Sequence, residues 1–191
     1  DGYAASNEAI IIDISDSFNP KIEKRESMHY PRANADATIL PTGDVFVNGG
    51  TAVYQGAYDD TYFSNYTPEI YKTNDDIWKK MSKTNFRRNY HSTSLLLPDG
   101  RIFVAGGDVW NAQFFYPPYL FTKDNKGKTI LAKRPKIEEL KKTITNRKEQ
   151  IMIVDDSDDV EKISLISTGS TTHAQASELK YLSLDFKKIS K

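Results

Sequence analysis

The sequence predicts an all-β chain, a partial β-propeller of about two blades followed by the start of a β-sandwich. Three observations predict it. Short β-branched and aromatic runs alternate with Gly, Pro, Asn and Asp turns, one hairpin pattern occurs twice at a fixed spacing, and a second set of short strands follows a change in composition near residue 133.

In chain order, Glu8 to Ile14 is a β-branched run of strand length, ended by the turn residues from Ser15 to Pro20. A polar connection leads to Ala37-Thr38-Ile39-Leu40, a Pro41-Thr42-Gly43 turn, Asp44 to Asn48, and the pair Gly49-Gly50. Asn89 to Gly107 repeats this pattern, with Leu95 to Leu97, a Pro98-Asp99-Gly100 turn, Ile102 to Ala105 and Gly106-Gly107. A shift of 57 residues lays Leu40-Pro41 on Leu97-Pro98, Gly43 on Gly100, Phe46-Val47 on Phe103-Val104 and one glycine pair on the other. A period near fifty residues, built of short strands and closed by two glycines, is the signature of kelch-type propeller blades. Between the copies, Glu69-Ile70-Tyr71 and Trp78 fit the outer part of a blade, with the indole packed between neighbouring sheets.

Tyr54, Tyr58, Tyr62 and Tyr66 are four residues apart, but Gly56, Asp59, Asp60 and Asn65 make the stretch a long loop rather than a helix. Its tyrosines are expected to be half-buried under that loop, although they could also stack on a sugar ring. Ala112 to Tyr116 is a further strand, after which Pro117-Pro118 and a lysine-rich stretch from Lys123 to Lys133 read as a linker. Residues 1–122 are therefore expected to form the propeller blades and 134–191 a second domain, with strands at 150–154, 162–167 and 181–186. Two blades fall short of the roughly four to eight of a closed propeller, and the second region has about half of the roughly seven strands of a sandwich. The chain is expected to be a piece of something larger.

Composition narrows the function classes. The 26 basic residues balance the 26 acidic ones, which demotes nucleic acid and anionic membrane surfaces as partners. No apolar run is long enough to span a bilayer. With no cysteine there is no disulfide framework, thiolate metal site or cysteine nucleophile. No phosphate-binding glycine loop or nucleophile elbow occurs, and Asp155-Asp156-Ser157-Asp158-Asp159 reads as a solvated acidic turn.

The histidines carry the remaining chemistry. His29 reads as a surface or hydrogen-bonded structural residue. At the positions of Tyr90 and His91 the first copy has Ala33 and Asn34, so the hairpin scaffold does not itself require a Tyr-His pair. A phenol oxygen beside an imidazole nitrogen suits copper(II) or iron. Neighbours on a regular strand point to opposite faces, so both can reach one metal only where the backbone is irregular. Residue types alone leave a buried structural pair and a metal site equally open. His173 ends the small-residue segment Ser167-Thr168-Gly169-Ser170-Thr171-Thr172, which would put its imidazole at a loop tip, where a solvated histidine is the ordinary case.

Tyr90-His91-Ser92-Thr93-Ser94-Leu95-Leu96-Leu97-Pro98-Asp99-Gly100-Arg101 resembles the last-blade motif of the galactose oxidase and glyoxal oxidase family. Arg134-Pro135-Lys136-Ile137 resembles the start of that family's immunoglobulin-like early set domain, and Gly169 to His173 the segment that threads a hairpin into the propeller axis. The resemblance implies copper, with Tyr90 as axial ligand and proton acceptor and His91 and His173 as equatorial ligands. It implies oxidation of a primary alcohol to an aldehyde, or of a hydrated aldehyde to an acid, with O2 reduced to H2O2, and secretion as the source compartment. The family's tyrosine–cysteine radical cofactor cannot form within a chain that has no cysteine. The alternative is a non-catalytic kelch and early set protein that binds carbohydrate or protein through its tyrosine-rich loop.

Overall fold

The computed structural model describes residues 3–54, 62–140, 143, 149–155, 160–172 and 175–189. The chain is all-β, with a single 3-10 turn at Pro118–Leu120 among the described residues. No helix among them is long and apolar enough to cross a membrane. It divides into two compact units, residues 1–117 with 166–181, and residues 118–165 with 182–191.

In the first unit, β1 (Tyr3–Ala4) pairs with β6 (Val53–Tyr54), and β2 (Ala9–Asp13) forms a hairpin with β3 (Lys21–Arg25). The first repeat copy builds a four-stranded antiparallel sheet in the order β4 (Asp36–Ile39), β5 (Val45–Asn48), β7 (Glu69–Lys72), β8 (Ile77–Lys80). The second builds β9 (Ser92–Leu96), β10 (Ile102–Gly106) and β11 (Ala112–Phe115), again antiparallel. Both hairpin turns close with the same pair of backbone bonds, Gly43 N to Leu40 O and Leu40 N to Asp44 O in one, Gly100 N to Leu97 O and Leu97 N to Arg101 O in the other.

The core lies where the two sheets meet. Phe46, Val47, Ile70, Ile102 and Val104 are buried, and the rings of Phe46 and Phe115 are 4.7 Å apart between β5 and β11. Burying a side chain such as Phe46 contributes about 1.5–3 kcal/mol. Trp78 lies against Tyr71 and its indole N–H donates to the Glu26 carbonyl at 2.7 Å, tying the four-stranded sheet to the chain that leaves β3.

The stretch expected as a linker at 123–133 differs from expectation. In the second unit, β12 (Phe121–Lys123) and β13 (Thr129–Leu131) form a hairpin. Asp124 makes that turn by accepting from the amides of Lys126 and Lys128, and Gly127 takes the left-handed conformation, so lysine-rich composition concealed ordinary turn chemistry. β14 (Ile137–Leu140) pairs with β15 (Met152–Val154), and β16 (Ile163–Ile166) with β19 (Tyr181–Leu184), close to the expected strands. The intervening hairpin, β17 (Ser170–Thr172) with β18 (Gln175–Ser177), groups with the first unit and packs against β4, its first strand also against β9. Of the tyrosine loop, residues 55–61 lie outside the described residues.

Candidate metal-ligand turn

The repeat extends to backbone conformation. Positive φ occurs at Gly43, Gly49 and Gly50 and recurs at Gly100, Gly106 and Gly107, and Asn34 (φ 56°) recurs as His91 (φ 62°). Each copy thus needs a left-handed residue just before its first strand. Asparagine takes that conformation readily; a histidine there costs on the order of 1 kcal/mol.

Tyr90 and His91 occupy the two central positions of a β-turn closed by Ser92 N donating to Asn89 O at 3.0 Å. Positive φ at the second central position belongs to type II turns. The turn interrupts strand alternation, so the two side chains do not diverge: their ring centroids are 3.8 Å apart. Tyr90 is half-buried and His91 exposed.

Gly106 makes the approach of β10 to this turn possible, because a Cβ there would lie 2.5 Å from the His91 carbonyl oxygen. Arg88, fully buried, anchors the turn's approach by donating to Gly106 O at 2.9 Å and to Asn111 Oδ1 at 2.5 Å. The corner residues are held by side chains. Asn89 Nδ2 donates to Ser64 Oγ at 2.8 Å, and Ser92 Oγ to Asp36 Oδ2 at 2.6 Å. Burial pushes the Asp36 carboxyl up to about 6, against the opposing pull of the Ser92 hydrogen bond and the Arg88 charge. Two residues further along the same strands, the Thr38 hydroxyl contacts both Ser94 O and Ser94 Oγ at 2.9 Å.

The donor set fits copper: a phenol and an imidazole side by side, with no thiolate in the sequence to favour a structural zinc. No group of three or more His, Cys, Asp and Glu placed to hold a metal ion occurs among the described residues. His173, the third expected ligand, falls between Thr172 and Gln175 and lies outside them. His29 is hydrogen-bonded to structure: its Nδ1 is 2.6 Å from Glu69 Oε2 and its amide donates to the same oxygen at 2.8 Å. Asp36, Ser64 and Arg88 escaped sequence reading. The available signal for Asp36 was an acidic residue at the head of an otherwise apolar strand run.

An all-β chain with this motif at the entrance of its second repeat copy is of the galactose oxidase type. The chain belongs to the glyoxal oxidase family: residues 3–124 match the model described as glyoxal oxidase N-terminus. A galactose oxidase from Gibberella zeae is 34% identical over 154 residues, 76% of this chain and 22% of that protein. An aldehyde oxidase, GLOX, from Vitis pseudoreticulata is 36% identical over 95 residues, 48% of this chain and 17% of its own length. Among solved structures, a fungal alcohol oxidase of the AA5 family in complex with copper superposes with a TM-score of 0.83 at 27% identity, over 98% of this chain and 40% of that one. The chain therefore spans well under half the length of these relatives.

Proposed function

We propose that this chain is the C-terminal part of a copper-radical oxidase of the galactose and glyoxal oxidase type, which oxidises a primary alcohol to an aldehyde or a hydrated aldehyde to an acid and passes two electrons and two protons to O2, giving H2O2. In this reading the two repeat sheets are kelch-type propeller blades within residues 1–122, and residues 134–191 are the start of an early set domain. The observation that carries it is the Tyr90–His91 turn, two adjacent donors whose rings lie together because His91 is left-handed. Tyr90, His91 and His173 would hold the metal. Grouping of the 166–181 hairpin with the first unit, against β4 and β9, supports delivery of His173 by the second region.

When bound, copper supplies one-electron redox chemistry in partnership with the family's tyrosine–cysteine cofactor, whose cysteine this chain does not contain. The Tyr90 phenolic oxygen accepts the substrate's hydroxyl proton. The His91 imidazole holds its place through the fixed turn rather than through its own rotamer alone. In the full-length natural protein, metal analysis and electron paramagnetic resonance should find about one copper per chain with nitrogen and oxygen ligation. Peroxide should form from simple alcohols or aldehydes, and Tyr90→Phe should depress turnover by about 100-fold or more, as loss of a general base does. A full-length protein that binds no copper would refute the assignment.

A further inference from the structure

The turn that presents Tyr90 and His91 is not held by its own sheet alone. Its last corner, Ser92, is buried and donates to Asp36, which sits at the head of β4 in the other repeat copy and is only 1% exposed. The same residue closes the turn, since Ser92 N donates to Asn89 O. The hydroxyl and amide of one residue therefore tie His91's neighbour both to the adjacent sheet and to the turn's first corner.

We propose that Asp36 is a positioning residue for the Tyr90–His91 pair, acting through Ser92. A desolvated carboxylate costs stability unless hydrogen-bonded, so as a purely cohesive element of this seam Asp36 is a poor choice. The neighbouring Thr38–Ser94 contact joins the same two strands with uncharged groups. What distinguishes the Asp36–Ser92 bond is its place, one residue from His91. Partners that orient a ligand from outside the coordination sphere commonly govern metal affinity by about 10–100-fold.

The inference rests on the copper reading above. It is tested in the full-length natural protein by copper affinity in chelator competition, the Cu(II) paramagnetic resonance spectrum, and thermal unfolding of the metal-free form. The variants are Asp36→Ala, Ser92→Ala, Asp36→Asn and Thr38→Val. Asp36→Ala and Ser92→Ala should each weaken copper by about tenfold or more and alter the spectrum, the double variant being no worse than the weaker single one. Asp36→Asn keeps an acceptor and should recover most of the affinity. Thr38→Val should lower the unfolding temperature and leave affinity and spectrum unchanged. Wild-type affinity and spectrum in both Asp36→Ala and Ser92→Ala would overturn the proposal, as would a loss in Thr38→Val equal to that in Ser92→Ala. If the wild-type protein itself binds no copper, the copper reading fails and the positioning role with it; if it binds and both Asp36→Ala and Ser92→Ala match it, only the positioning role fails.

Discussion

In the first repeat copy Arg32 donates to Gly49 O at 2.7 Å and to Glu69 Oε1 at 2.9 Å; in the second, Arg88 donates to Gly106 O and to the neutral Asn111. Both arginines are buried and both clamp the first glycine of their pair. The spacing to the left-handed residue differs. Arg32 is followed by Ala33 and then Asn34, whereas Arg88 is followed by Asn89, Tyr90 and then His91. In the first copy Ala33 is tied into a two-bond bridge with Thr51. In the second, one additional residue turns the same approach into a closed β-turn that carries a phenol and an imidazole. One scaffold thus serves cohesion in one place and, on the reading proposed above, metal ligation in the other: in the 57-residue register His91 stands where Asn34 does, while the arginine that clamps the first glycine lies one position earlier in the second copy.

Three experiments probe that contrast. The largest effect is expected at the arginines. Arg32→Ala takes the guanidinium from the fully buried Glu69 carboxylate, leaving it the His29 bonds, and should cost about 3–5 kcal/mol of stability in urea unfolding. Arg88→Ala removes hydrogen bonds to neutral acceptors and a charge that acts on Asp36 without a direct bond to it, and should cost less, about 1.5–3 kcal/mol. Equal losses would mean that the charge on Glu69 does not distinguish the copies.

The two buried carboxylates should also respond to pH with opposite sign. Burial raises the Asp36 carboxyl to about 6, so between roughly pH 4 and 6 the folded state keeps a proton that the unfolded state has lost, and this contribution to stability falls as pH rises through that window. The shift corresponds to about 3 kcal/mol. Burial also pushes Glu69 up, but its hydrogen bonds to Arg32 and His29 and the Arg32 charge outweigh that push and hold it low, so its stabilising contribution is present above the ordinary carboxylate range and is lost as pH falls. The unfolding free energies of Asp36→Asn and the wild type should therefore converge at pH 4 relative to pH 7, while those of Glu69→Gln and the wild type converge on acidification below pH 4. The same pH slope in Asp36→Asn as in the wild type would defeat the first half of this expectation.

The smallest effect is expected at the left-handed positions themselves. His91→Asn should change stability by no more than about 1 kcal/mol, because asparagine tolerates the left-handed conformation, while removing an imidazole donor from the turn. Asn34→Val should lose more, since a β-branched residue is a poor occupant of that region. A reversed order in thermal unfolding would show that His91 is held by packing and not by its backbone.

Much of this was legible from residue order. The 57-residue repeat, the turn at each Pro-X-Gly, the glycine pairs and the strands near 150–154, 162–167 and 181–186 all rest on local chemistry, because hairpin turns and strand runs depend on nearest neighbours. The hairpin at Phe121–Leu131 escaped because its turn is made by Asp124 side-chain bonds that a lysine-rich composition masks. The special standing of Tyr90 and His91 was visible only by subtraction, as what the second copy has and the first lacks.

The sequence by itself determined that the chain is built of strands, that one hairpin is used twice, and that the Tyr-His pair breaks the repeat. The tertiary structure decided that these two side chains share one side, since φ at His91 is set by the closed turn and by Gly106 pressed against the His91 carbonyl, not by residue type. It also decided that Asp36, 56 residues before Ser92 along the chain, is bonded to the residue beside His91. Partners that distant in sequence are chosen by how sheets pack, and packing of sheet on sheet leaves no local pattern to read.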